Sequence, residues 1–334
     1  MSGDEVVTTG TKEPAESAWP LEVQPAPHLA DAATTRQLMV DVVIALIPAF
    51  VAALIFFRLE AVRVTLLCLV GCLGTEVAFN RVRKKANSLG DFSAVVTAVI
   101  LAFSLPPTLP SFAVILGSVV AIGIGKMLFG GLGHNIFNPA MVGRAFLMAA
   151  FPVLMTQWVS PGTLQAMTGA TPLALIKPGA VDRMLPGGLD LFVGRTGGSL
   201  GETSVLALLI GAGYLLIRRT IDVSIPFGML GAAVAFSAVT YLAAPGKFAN
   251  PMFHLGAGAM VFGAFFIATD LVTTPLSKKG RWIFGAGCGL LTMFIRQFGT
   301  YPEGVMFSVL MMNGLSPLIS RWTTASPLGG KTRG

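Results

Sequence analysis

Apolar runs follow one another along most of the chain, separated by short links that are polar, basic, or rich in glycine and proline. Taken as membrane crossings, they predict ten spans at 38–57, 62–80, 91–105, 111–129, 138–154, 203–217, 224–244, 255–272, 282–298 and 304–320. A hydrocarbon layer roughly 30 Å thick takes about 20 helical residues. The third span falls short of that and the eighth is glycine-rich, so both are expected to be broken or re-entrant. Residues 1–35 are polar and rich in Pro and Ala, with no apolar signal core before the first span, and they predict a tail on the cytoplasmic side. Residues 323–334 form a second cytoplasmic tail.

Charge orients the spans. The clusters Arg81–Lys85, Arg218–Arg219 and Lys278–Arg281 fall on one side only if all ten spans exist and both termini are cytoplasmic, as the positive-inside rule asks. The segment 155–202 then lies outside. It interrupts the pattern with Pro161, Pro172, Pro178, Pro186 and many glycines, and loops of that length in compact proteins are usually functional or disordered. Its centre, MTGATPLALIK (167–177), is small and hydroxylated, then apolar. A weak internal repeat divides the rest. LGDFSAVVTAVI from Leu89 resembles LGAGAMVFGAFF from Leu255, and the FGGLGHN after the fourth span (129–135) resembles the FGTYPEG after the ninth (298–304). The expected fold class is therefore an all-α integral membrane protein, with a transmembrane domain over 36–322. Repeat one covers 36–154 and repeat two covers 203–322; five spans each make the second copy inverted, which places binding sites near the midplane at broken helices.

Composition adds exclusions. Hydrophobic residues make up 54% of the 334 and charged residues only 12%, about half the share in a soluble domain, and mean hydropathy is +0.75. The net charge of +7 comes from clusters between apolar runs, without the aromatic-interleaved basic patch that tracks nucleic acid. Cys68, Cys72 and Cys288 all fall in apolar runs; the first two share a helix face, where packing is the expected role rather than metal binding. His28, His134 and His254 have no metal-ligand spacing. No metal site and no catalytic side chain is expected. Gly130-Gly131-Leu132-Gly133 has no strand before it and predicts a turn that opens the fifth span.

Ionisable groups inside apolar runs carry more information, because insertion of each costs about 2.5–3.5 kcal/mol. Asp41, Glu76, Arg144 and Asp270 qualify, Asp41 and Glu76 being expected at the interface. HNIFNPAMVGRAF (134–146) places Asn135, Asn138 and Arg144 at and after a helix start, where amides and free N–H groups can bind a polar ring or an anion. Capping and interhelix bonding are the plainer roles for the same residues.

Six stretches, in order, resemble one family: PHLADAATTRQLMVDVVIALIPA (27–49), DFSAVVTAVILAFSLPP (91–107), GGLGHNIFNPAMVGRAFL (130–147), TGATPLA (168–174), FFIATDLVTTPLSKKG (265–280) and YPEGVMFSVLMMNGLSPLI (301–319). The family comprises the D subunits of Rnf ferredoxin–NAD oxidoreductase complexes and the B subunits of Na⁺-translocating NADH–quinone reductases. The short chain and its VLMMNGLSPLI resemble the Rnf branch more. The resemblance implies covalent FMN, its phosphate esterified to the last threonine of an S/T-G-A-T motif, here Thr171 after Thr168, Gly169 and Ala170. Thr168 stands where many relatives have serine; the acceptor is unaffected. The resemblance further implies ion translocation driven by electron transfer and, in some members, a second, non-covalent flavin such as riboflavin in the bundle, for which Asn135, Asn138 and Asp270 are candidates; Arg144 is a further candidate for cofactor binding. The chain would work as a non-autonomous subunit in a bacterial or archaeal cytoplasmic membrane, meeting ferredoxin and NAD(H) only through partner subunits. A stand-alone channel or transporter of like architecture, and a purely structural scaffold, remain as alternatives that flavin content separates.

Overall fold

The computed structural model describes residues 34–85, 88–158, 171–176, 187–194, 196–202, 204–245 and 247–323, all helix and connecting turns with no strand among them. In chain order the helices are α1 (Thr35–Phe57), α2 (Leu59–Val82), α3 (Ser93–Phe103), α4 (Ser111–Ile122), α5 (Pro139–Ala150), α6 (Pro152–Met155), α7 (Pro172–Leu175), α8 (Gly188–Val193), α9 (Val205–Ile217), α10 (Ser224–Ala243), α11 (Pro251–Gly256), α12 (Met260–Phe262), α13 (Lys278–Phe298) and α14 (Val305–Thr323). Three of them, α1, α2 and α10, are long and apolar enough to cross a membrane; α3, α4, α5 and α9 are shorter apolar helices. Ile47, Ile55, Leu66, Val70 and Leu242 on the long helices are exposed, which suits contact with lipid rather than water.

Helices pair through small residues. Here α2 packs on α3 and α4, α4 on α5, α10 on α13, α13 on α14, α1 on α9, and α5 on α14. Gly285 and Gly289 of α13 sit against the backbone of Ile225 and Met229 on α10, and Gly211 of α9 sits against the carbonyl of Ala45 on α1. Without a hydrophobic force between helices in lipid, such close approach supplies the dispersion contact that holds them together. A Cβ at Gly289 would overlap the Met229 carbonyl. We therefore expect Gly289→Val to destabilise the fold by about 3 kcal/mol or more, seen as a lowered thermal aggregation midpoint in detergent; an unchanged midpoint would show the seam to be loose.

Three segments are broken, and they shape the interior. The third predicted span is a 3₁₀ turn (Leu89–Asp91) followed by the 11-residue α3. A π turn, Gly123–Met127, ends α4, and Gly130, Gly131 and Gly133 then adopt φ of 126°, 110° and 90°, angles open to glycine, to make the turn into α5. The eighth predicted span is α11, Gly258 at φ 66°, α12 and a second π turn, Gly263–Ile267. Its glycines and the bulky Phe-Phe pair that follows leave no uninterrupted helix.

Candidate functional site

The two π turns, α1, α3, the start of α5 and the end of α9 enclose a cavity of about 720 Å³, its open mouth included. Ile100, Leu215, Phe265 and Phe266 are apolar walls, and Asn135, Asn138 and Asp270 line the same space. Asn138 caps α5: its Oδ1 accepts from the N–H of Ala140 (3.1 Å) and Met141 (3.3 Å), and its Nδ2 donates to the Ile267 carbonyl at the end of the second π turn (3.3 Å). Its own N–H donates to Asn313 Oδ1 on α14 (3.1 Å), so one residue ties three elements together. Asp270 accepts from Val272 N–H (3.3 Å) and Thr273 Oγ1 (3.2 Å) and closes a local turn. Asn135 gives its Nδ2 to the Phe137 carbonyl (3.3 Å), while its buried Oδ1 has no partner among the described residues. An orphaned buried acceptor costs about 1–3 kcal/mol, so that oxygen is disposed toward a ligand donor.

Lys126, in the first π turn, also reaches this cavity. Its Nζ lies 3.0 and 2.9 Å from the two oxygens of Glu76 on α2 and donates to Ser93 Oγ (2.6 Å); Ser88 donates to the same carboxylate. Glu76 is 0% and Lys126 2% exposed. Asp41 is likewise buried, accepting from Tyr214 (2.9 Å), Thr220 (3.1 Å) and Arg218 (3.4 Å). Asp41, Glu76 and Lys126 are thus not free surface charges: in each case a partner far along the chain offsets the cost of burial. Cys68 and Cys72 are buried beside α4, Cys72 lying 3.9 Å from the Ser118 carbonyl.

A second cavity, about 590 Å³ with its mouth, lies among α5, α7, Trp158 and the loops before α9 and α14. Thr171 forms part of its wall. It is 7% exposed and caps the four-residue α7, its Oγ1 accepting from the Ala174 N–H (3.2 Å). Arg144 faces the same cavity, with Nη2 3.0 Å from Glu303 and Nη1 3.7 Å from Glu202. Arg296 of α13, 1% exposed, approaches Glu303 at 3.7 Å and donates to the His254 carbonyl (2.8 Å). Gly258 makes room for this cluster: a Cβ there would press on Glu303 Oε1, Leu173 and Arg296. Glu303 also accepts from the Ala259 N–H at the same break (2.9 Å).

The sequence-predicted residues therefore divide. Asn135, Asn138 and Asp270 share the first cavity; Arg144, a cofactor-binding candidate from the same sequence stretch as the two asparagines, lines the second with Thr171, six residues along α5 from Asn138. Thr168, Gly169 and Ala170 lie outside the described residues. Glu202, Glu303, Arg296 and Lys126 are site residues that the sequence alone does not single out. Glu303 stands in the quoted YPEG stretch, and Lys126 interrupts an apolar run, a signal that could have marked it. Among the described residues no group of three or more metal-ligating side chains occurs.

Fold and sites together define a helical membrane protein with two internal cavities, mainly apolar in their lining and each bordered by buried ion pairs. The chain belongs to the NQR2, RnfD, RnfE family, whose sequence profile matches residues 22–329. It is 42% identical over 305 residues to the D subunit of the Na⁺-translocating ferredoxin:NAD⁺ oxidoreductase complex of Acetobacterium woodii, covering 91% of this chain and 93% of that one. It is 39% identical over 317 residues to the D subunit of the proton-translocating ferredoxin:NAD⁺ oxidoreductase complex of Clostridium ljungdahlii (92% and 96%). A third relative, the D subunit of the ion-translocating oxidoreductase complex of Stutzerimonas stutzeri, is 38% identical over 329 residues (89% and 93%).

Proposed function

We propose that the chain is a membrane subunit of a complex that couples electron transfer between ferredoxin and NAD to movement of Na⁺ or H⁺, and that it carries FMN as a phosphoester on Thr171. The supporting observation is the position of Thr171: the last residue of the TGAT motif is a wall of a cavity that also holds Arg144 and the aromatic rings of Trp158 and Tyr301. These residues fit the group. Thr171 offers the hydroxyl for the ester, Arg144 a cation with a buried Nε that lacks a partner among the described residues, and Trp158 and Tyr301 flat apolar faces. Bound there, FMN supplies the electron-carrying chemistry that amino-acid side chains lack. The chain's own part is to hold the group, to orient it, and to balance its charge.

The finer architecture belongs to the same reading: ten spans in two inverted repeats, both termini cytoplasmic, with Thr171 on the outer side. Its support is that the pairing of α2 with α4 and α4 with α5 is matched by that of α10 with α13 and α13 with α14.

The first cavity we assign to a second, non-covalent flavin, which Asn135 and Asp270 would hold by hydrogen bonds and Phe265 and Phe266 by apolar contact. Flavin released without bond cleavage from the purified complex tests this. Asn135→Leu and Asp270→Leu are each expected to weaken retention about tenfold, the worth of one hydrogen bond of about 1.4 kcal/mol. A native complex with no releasable flavin, or full retention in both variants, would refute the assignment.

A further inference from the structure

The second cavity contains two carboxyl groups, Glu202 and Glu303, in loops on either side of Arg144, and both side chains are nearly nine-tenths buried or more. The Arg144 guanidinium stands between them, Nη1 3.7 Å from Glu202 and Nη2 3.0 Å from Glu303. Glu202 Oε1 and Arg144 Nε have no hydrogen-bond partner among the described residues, although both side chains are more than nine-tenths buried and line the cavity. The pair is therefore an incompletely satisfied group facing a space in which charge can change.

We propose that Glu202 and Glu303 form one proton-binding site, which fills from water at the cavity mouth when negative charge enters the cavity beside Thr171. The inference rests on the reading of Thr171 as the flavin attachment point. One electron delivered to that cofactor by a reduced redox centre of a partner subunit adds one negative charge; one proton taken onto Glu202 restores the balance. Thr156 and Tyr301 line the same cavity and are exposed, so the pair's surroundings reach the protein surface.

The surroundings set the poise. Burial, then the neighbouring Glu303 carboxylate, push the Glu202 carboxyl up to about 7, with Arg144 pulling the other way. Against the effect of its own burial, Arg144 and Arg296 hold Glu303 below its ordinary value. Glu202 is thus the proton carrier and Glu303 the charged acceptor. The other groups around the pair are Ser199, Tyr301, Thr171 and His254, the last joined to Arg296 through its carbonyl. Lys177, Arg183 and Arg195 of the same outer segment lie outside the described residues. A site poised near neutrality is close to half filled, the condition in which added charge changes its occupancy most.

Infrared difference spectroscopy of the intact complex in detergent reads the proton directly. The wild type is expected to show a carboxyl band that titrates near neutral pH and gains intensity on reduction. In Glu202→Gln that band should be lost, and in Glu303→Gln its titration should move away from neutrality. The pH-dependent band should persist in Thr171→Ala, which separates this inference from the flavin assignment: flavin remaining in Thr171→Ala defeats the assignment but not the carboxyl pair. A wild-type complex with no carboxyl band titrating near neutral pH overturns the proposal, and so does a band unchanged in an assembled Glu202→Gln complex.

Discussion

Replacing Lys126 with methionine is expected to destabilise the protein by about 3–5 kcal/mol, because it leaves the fully buried Glu76 carboxylate without its cation. Ser88 and Ser93 remain nearby, but hydroxyl donors do not neutralise a charge in a low-dielectric interior. The pair is long-range, 50 residues apart, and joins α2 to the π turn at the end of α4. The single variant should assemble poorly and aggregate at a lower temperature in detergent. Replacing both partners, Lys126→Met with Glu76→Gln, should recover much of the loss, since the buried charge is then removed altogether. A single variant as stable as the parent would show that water or another cation serves Glu76.

Thr171→Ala carries the largest expected functional effect. It removes one hydroxyl and the cap of a four-residue helix, a cost of about 1 kcal/mol that the fold should tolerate. If the hydroxyl holds FMN, the complex should still assemble, and donor-driven ion uptake in liposomes should fall to that of protein-free vesicles. The chain alone should also give no uptake with ferredoxin or NADH. Cys68 and Cys72 lie together in α2 and Cys288 in α13, so no cysteine cluster among the described residues could carry electrons across. On the proposed reading, partner subunits supply the donor site and the relay. Uptake by the isolated chain, or full uptake by the Thr171→Ala complex, would count against this division of labour.

Much of the architecture is legible in the sequence because apolar length and glycine content are local properties. The breaks at 89–103 and 251–267 follow from short or glycine-interrupted runs, and the turn at Gly130–Gly133 from glycines, which accept the φ of 90° to 126° found there at no steric cost. Asn138 is legible as a cap for the same reason: an Asn-Pro pair before an apolar stretch is read within a few residues. The ion pairs are not. Glu76 with Lys126, and Arg144 with Glu303, are joined over 50 and 159 residues, so each charge alone resembles an interfacial or orienting residue. That Arg144 and Asn138 line different cavities is not legible either, because closeness in sequence says nothing of which part of α5 faces which space.

Covalent FMN on Thr171 is most directly tested by the intact mass of the denatured native chain, followed by mapping of any modified peptide. The expected result is a mass above that of the sequence by one flavin phosphate, carried on the peptide that contains Thr171 and absent from Thr171→Ala. A native chain of unmodified mass, purified from a functioning complex, would contradict it.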